Sequence, residues 1–293
     1  MSFECKVIAD TISHKKRITT LEITYPRFIH AEIMTHRDRA RNAGSSRAIP
    51  WATMSERIQN HPVIPIKWGL EQKGMQTGDD IPPELAALAE YLWLMARTEA
   101  MQYADQIHNI GKTYGQFYGD YKYQDVRIHK SIPNRITEPW MWITVVMTAT
   151  SWRNFFKQRV DSQAEIHMQE IAKLMLATVK NSDPVEADMH LPYIQEDDWN
   201  TPVPLPGPSQ SILAQMMKVS TARCARVSYV QHGQKTKSFL ADLALGEKLE
   251  TSGHWSPFEH PAVYTGERSG CYNGWQSYRK WFPAECPEEG YPE

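Results

Sequence analysis

Thr35-His36-Arg37-Asp38-Arg39-Ala40-Arg41-Asn42-Ala43-Gly44-Ser45-Ser46-Arg47 concentrates arginine around a single acid. Guanidinium groups hold oxyanions through paired hydrogen bonds, while Asn42, Ser45 and Ser46 add short donors. Gly44 is expected to let the backbone approach a ligand, with its N–H groups assisting. This is the composition of a phosphate pocket; the plainer alternative is a solvated basic turn. An extended stretch, Thr19 to Met34, rich in Thr, Ile, Leu, Tyr and Phe, leads into it, and Pro50 lies beyond. The local plan is strand, charged loop, stop.

The chain of 293 residues is long enough to bury a large core, as one domain or two. Its 32 basic and 34 acidic residues nearly balance, which argues against a dedicated nucleic-acid binder. No apolar run is long enough to span a bilayer. Met-Ser-Phe-Glu-Cys-Lys at the start lacks a basic segment followed by an apolar one, so a cytoplasmic location is the expectation. Cys5, Cys224, Cys271 and Cys286 are scattered without metal-ligand or disulfide spacing, and no metal site is expected. Neither a Walker loop nor a Gly-x-Gly-x-x-Gly fingerprint occurs.

Outward from the basic loop, residues 4–34 read as strands broken by a turn at Lys15-Lys16. Trp51 to Asp80 carries Pro62, Pro65 and Gly69, which discourage long elements. Pro82-Pro83 opens a helix with Leu85, Leu88, Leu92 and Met95 at helical spacing, read as scaffold and ending before Gly111. A Tyr- and Gly-rich connection, Tyr114 to Tyr123, precedes His129-Lys130-Ser131-Ile132-Pro133-Asn134-Arg135. A helix is expected from Pro139 through Trp142 and Met147 to about Phe156. A second is expected from the capping box Ser162-Gln163-Ala164-Glu165 to about Lys180. Arg159 is left at the junction, where Asp161 or a ligand oxygen would partner it.

Thr201-Pro-Val-Pro-Leu-Pro-Gly-Pro divides the chain. The expected organisation is a first portion over 1–199, a linker over 200–210 and a second portion over 211–293 that folds into the same domain. Within the last, Ala225 to Tyr229 reads as a strand. Lys235 to Leu249 reads as a helix with Phe239, Leu240 and Leu243 inward, stopped by Ser252-Gly253.

Four stretches together resemble the flavin-dependent thymidylate synthase family. The basic loop is similar to that family's Arg-His-Arg-x-x-Ser-x-Asn-x-x-Ser-x-Arg signature at His36, Arg37, Asn42, Ser45 and Arg47. Asn154-Phe155-Phe156-Lys157-Gln158-Arg159-Val160-Asp161-Ser162-Gln163-Ala164 resembles its Asn-Phe-Leu-x-Leu-Arg-x-Asp-x-x-Ala run. Cys224 to Tyr229 and His254-Trp255-Ser256-Pro257-Phe258-Glu259-His260 resemble its first strand and its Pro-Phe-Glu-His element. In the family these last two precede the basic loop, so the resemblance implies a permuted or partly duplicated segment order. The fold implied is α+β, an antiparallel sheet flanked by helices.

The resemblance also implies a chemistry. Family members convert deoxyuridylate to thymidylate with methylenetetrahydrofolate, FAD and NADPH, as homotetramers. By that likeness Arg159 is the catalytic residue facing the pyrimidine. His36, Arg37, Asn42, Asn154, Ser228 and Ser256 would contact FAD. Glu32, Ser45, Ser46, Arg47, His129, Gln276 and Arg279 would bind the nucleotide. Thr35, Ala40, Ala43 and Glu32 depart from the family's Arg, Ser, acid and Gln, which opens cytosine as the base and a hydroxymethyl product as alternatives. A nucleic-acid module using the loop's arginines on phosphates is the rival from another class.

Overall fold

The structure is a computed structural model that describes residues 1–73, 76–201, 211–228 and 238–283. β1 (Glu4–Ser13) and β2 (Lys16–Pro26) form an antiparallel hairpin closed by His14 and Lys15, both at positive φ. Positive φ at two central residues matches the right-handed twist of the flanking strands. The turn thus falls one residue earlier than expected, with the His14 ring stacked 5.0 Å from that of Tyr264. β2 gives way at Arg27 to a short turn and α1 (His30–Met34), so the strand expected to run to Met34 ends eight residues early.

The basic stretch is not all loop: β3 (Ala40–Ala43) is a strand within it. Next come α2 (Trp51–Asn60), α3 (Pro83–His108), α4 (Ile110–Tyr118) and α5 (Ser131–Ile136). The prolines at 62 and 65 stop α2 rather than prevent it. α4 occupies much of the supposed Tyr- and Gly-rich connection, ending at Gly119 in the left-handed conformation.

β4 (Trp142–Ala149) corrects the expected helix from Pro139. It lies between β2 and β3, antiparallel to both, and is buried on both faces. Its Ile143, Thr144, Val145, Val146 and Thr148 are β-branched residues that suit a pleated surface. Beyond it lie α6 (Arg153–Arg159) and α7 (Ile166–Lys180). The cap of α7 is Glu165, whose carboxylate accepts from Met168 N–H, not the box expected at Ser162. β5 (Val185–Glu186) then pairs parallel with β1, which makes the five-stranded sheet mixed, in the order β3-β4-β2-β1-β5.

One face of this sheet presents Leu21, Ile23, Tyr25, Val145 and Met147 to Phe155 of α6 and to Met168, Ile171 and Met175 of α7, all buried. On the opposite face β2 and β4 present threonines: Thr20 and Thr148 share a hydrogen bond of 2.6 Å, Thr24 and Thr144 one of 2.9 Å.

β6 (Met189–His190) begins a three-stranded sheet that the later segment completes. α8 (Ile212–Ala225) and α9 (Phe239–Thr251) pack together, and the hairpin of β7 (Ala262–Ser269) and β8 (Tyr272–Ser277) closes the sheet. The strand expected at Ala225 to Tyr229 is instead the end of α8 and a 3-10 turn over Arg226–Ser228; Tyr229 lies outside the described residues. In α9 Phe239 and Leu243 are buried, but Leu240 is exposed. Most of the proline-rich linker, 202–210, the start of the expected helix at 235–237, and the acidic tail beyond Pro283 lie outside the described residues.

Buried polar contacts tie the later segment to the first. Thr148 reaches His260 of the later segment at 2.8 Å, and within the first portion His190 joins Thr11 (2.8 Å) to Thr20 (2.7 Å). Arg223 of α8 bonds Asp198 and Asp242 from within the fold. Trp275 Nε1 donates to the Lys16 carbonyl at 3.1 Å.

Candidate functional site

As an edge strand that pairs, among the described strands, with β4 alone, β3 carries the basic residues along the sheet's rim. Arg39, just ahead of it, is 3% exposed. Its guanidinium lies 5.0 Å from the Trp152 ring and 4.6 Å from that of Phe155, and Nε and Nη2 donate to Asp38 Oδ1. Arg41 Nη1 donates to the carbonyls of Met34 and His36, which locks the turn between α1 and β3.

At this turn α6 meets the basic segment. Arg159 Nε donates to His36 Nε2 at 2.8 Å, and the His36 ring stands edge-on to Phe155, 4.9 Å away. His36 accepts this bond only as a neutral imidazole protonated on Nδ1. Its environment enforces that state: burial, followed by Arg39 and Arg159, lowers its pKa to about 4. The same neighbourhood includes Glu32, whose pKa is raised by burial and by Glu165 against the pull of Arg159 and His167. Asp161 is not the partner of Arg159; its carboxylate accepts from Gln163 N–H.

Asn42 and Ser256 also come together from opposite ends of the chain. Ser256 Oγ donates to Asn42 Oδ1 at 2.5 Å and also contacts the Arg41 carbonyl at 3.2 Å. Asn154, in the first turn of α6, is exposed. Ser228 closes the turn after α8, and its side chain lies outside what the structure describes.

The Ser45-Arg47 stretch is held from below. Asn134 Nδ2 donates to the carbonyls of Ser46 (2.6 Å) and Ile49 (3.0 Å), and Lys130 Nζ donates to that of Ala48 (2.8 Å). Ser46 is buried with its hydroxyl 3.3 Å from Glu138, which itself pairs with Arg27, so Ser46 faces a carboxylate. Arg47 is exposed. Gly44 is used differently from the expectation. Its N–H donates to the Thr144 carbonyl, and an added Cβ would lie 3.2 Å from that oxygen, so the small residue serves strand packing rather than ligand approach. His129 is exposed and bonded to Ser131, and it is Lys130 that reaches the loop.

A cavity of about 410 Å³ opens beside β3, between the basic segment and the β7–β8 hairpin. Arg37 and Arg279 both line it, whereas Gln276, opposite Val263 in the hairpin, does not. Arg279 pairs with Glu259 at 2.6 Å. Asn134, Arg39 and Lys280 stand at the site although the sequence reading gave none of them an individual role. For Asn134, which lies within α5, the signal is an amide among cations.

The exposed edge of this α+β scaffold gathers arginines, amides and hydroxyls beside an open cavity, groups whose chemistry is suited to anionic ligands. A family profile described as thymidylate synthase complementing protein matches residues 16–185, and the chain belongs to that family. The match spans the basic segment, β4, α6 and α7 and stops before the later segment. No curated protein matches the chain.

Proposed function

We propose that this protein is a flavin-dependent C5 methyltransferase of pyrimidine deoxynucleotides that converts deoxyuridylate to thymidylate. The observation that carries the reading is the hydrogen bond from Arg159 to a neutral His36, which joins the two segments most similar to the family's signature runs. The exposed Asn154, the Asn42–Ser256 pair and Arg37 offer amide, hydroxyl and guanidinium groups suited to the polar edge and phosphates of a dinucleotide. These residues fit FAD as its binding set. Bound there, reduced FAD would supply the hydride and methylenetetrahydrofolate the one-carbon unit, with NADPH as the reductant.

The chain's own groups act on the nucleotide. With Nε committed to His36, the remaining N–H donors of Arg159 are directed at the pyrimidine, where they stabilise negative charge as C5 becomes nucleophilic. His36, neutral at physiological pH, orients that guanidinium without competing for the ligand's charge. Arg47 and Ser45 hold the nucleotide phosphate, with Lys130 and Asn134 bracing the loop from beneath. The later segment supplies Ser256 to the same site, in keeping with a permuted segment order within one domain.

Glu32 favours a second substrate reading. A carboxylate accepts from the exocyclic amine of cytosine where the family's glutamine would pair with a carbonyl. The test is direct: purified protein should be yellow and release tritium from C5-labelled deoxyuridylate in the presence of methylenetetrahydrofolate and NADPH. A colourless protein that releases none overturns the assignment. Tighter binding of deoxycytidylate than of deoxyuridylate in a competition titration selects the second reading.

A further inference from the structure

A small cavity of about 20 Å³ lies between α2 and the start of β4 and shares no wall residue with the larger one beside β3. It has room for about one water-sized particle. Ile49, Met54, Ile58, Trp140 and Met141, all buried, make most of its wall, and Met1 and the exposed His61 border it. Two polar side chains from different elements also line it, Arg57 of α2 and Trp142, the first residue of β4. Arg57 Nη1 and Trp142 Nε1 are both buried, and neither has a hydrogen-bond partner among the described residues. A buried donor is costly unless an acceptor reaches it, and one acceptor in this cavity can serve both.

The chemistry of the wall decides what that acceptor is. The carbonyls of Ile49, Arg57, Trp140 and Met141 already accept from Asn134, His61, Val63 and Arg27. A water here would take both N–H bonds yet keep two hydrogens of its own to place among groups that are engaged or apolar. An anion needs donors alone. Arg57 also brings positive charge into these apolar surroundings: burial lowers its pKa, and the opposing charge that raises it, on the adjacent Glu56, is exposed. A negative charge inside the cavity offsets that burial. The space excludes a phosphate or an organic carboxylate and admits a monatomic ion.

We propose that this cavity is a binding site for a single halide-sized anion, chloride in ordinary solution, held between Arg57 Nη1 and Trp142 Nε1. The ion fastens α2 to the first residue of β4. The site is separate from the nucleotide and flavin site and does not rest on that reading.

Thermal denaturation of the full-length protein in sodium chloride and in sodium gluconate at equal ionic strength tests it. The midpoint should rise with chloride to a plateau that gluconate, too large to enter, does not reproduce. Trp142→Phe removes the N–H and keeps a ring beside Phe3, so it should raise the apparent chloride dissociation constant by about tenfold or more. Bromide gives a second measurement that needs no variant: crystals of the wild-type protein soaked in sodium bromide should show an anomalous peak between Arg57 and Trp142. A chloride response that Trp142→Phe leaves unchanged, or a cavity without a bromide peak, overturns the proposal. Thymidylate formation enters neither measurement, so this site and the catalytic assignment fail separately.

Discussion

Arg159 and His36 form a pair that holds only while His36 is neutral. The guanidinium is a donor only, so a protonated His36 breaks the bond and sets two cations against each other. Arg159→Ala is expected to abolish tritium release while leaving flavin absorbance in place; unchanged turnover would sink the role. His36→Asn, which keeps an acceptor, should retain more activity than His36→Ala. For the phosphate loop, Arg47→Ala removes charge-assisted hydrogen bonds worth roughly 1.5 to 3 kcal/mol, a rise of about ten- to a hundredfold in the nucleotide dissociation constant by fluorescence titration. At this scale the sequence marks His36, Asn42, Arg159 and Ser256 as polar residues in runs that local packing does not demand, and the structure pairs His36 with Arg159 and Asn42 with Ser256. The burial of Arg39 was not legible, since it arises from Trp152 and Phe155, more than a hundred residues away. Gly44 misled for the same reason: the oxygen that crowds it belongs to β4.

Among the elements, β4 shows where periodicity fails. A strand with neighbours on both sides and cover on both faces is apolar almost throughout, so the alternation that marks a half-buried strand is missing. Trp142, Met147 and Trp152 then imitate a helical face. The helix α3 raises the opposite problem. Its inner side packs Trp93, Ala100 and Met101 near Ile58 and Trp140, yet Leu85, Leu88 and Leu92 are 51, 52 and 56% exposed. The apolar spacing was legible; the direction it faces was not, because a helix apolar on two sides does not show by its spacing which side meets the core. If the homo-oligomer implied by the family resemblance forms through this face, Leu88→Lys with Leu92→Lys should reduce the assembly to a smaller species in light scattering while leaving the helical circular dichroism intact.

For the molecule as a whole, the buried histidines set the acid limit. His190 and His260 are fully buried, and burial first of all lowers both to about 3. The unfolded chain, with ordinary histidines, therefore binds the extra protons between about pH 6.5 and 3, and stability falls as pH falls through that window. Each buried histidine contributes about 1.4 kcal/mol per pH unit there. The urea midpoint should drop between pH 7 and 5, with a shallower slope in His190→Gln. Thr148→Val leaves His260 without the bond on Nδ1, while Nε2 has no partner among the described residues, and should cost about 1 to 3 kcal/mol in thermal denaturation.

The contacts that cross residues 202–210 have a further meaning. Arg223 on Asp198, Ser220 on the Pro192 carbonyl, Trp275 on Lys16 and Ser256 on Asn42 all join the chain before those residues to the chain after them. Recognition between the two pieces is thus written into side chains rather than into peptide continuity. A gene cut there and expressed as two polypeptides should yield halves that find each other and copurify.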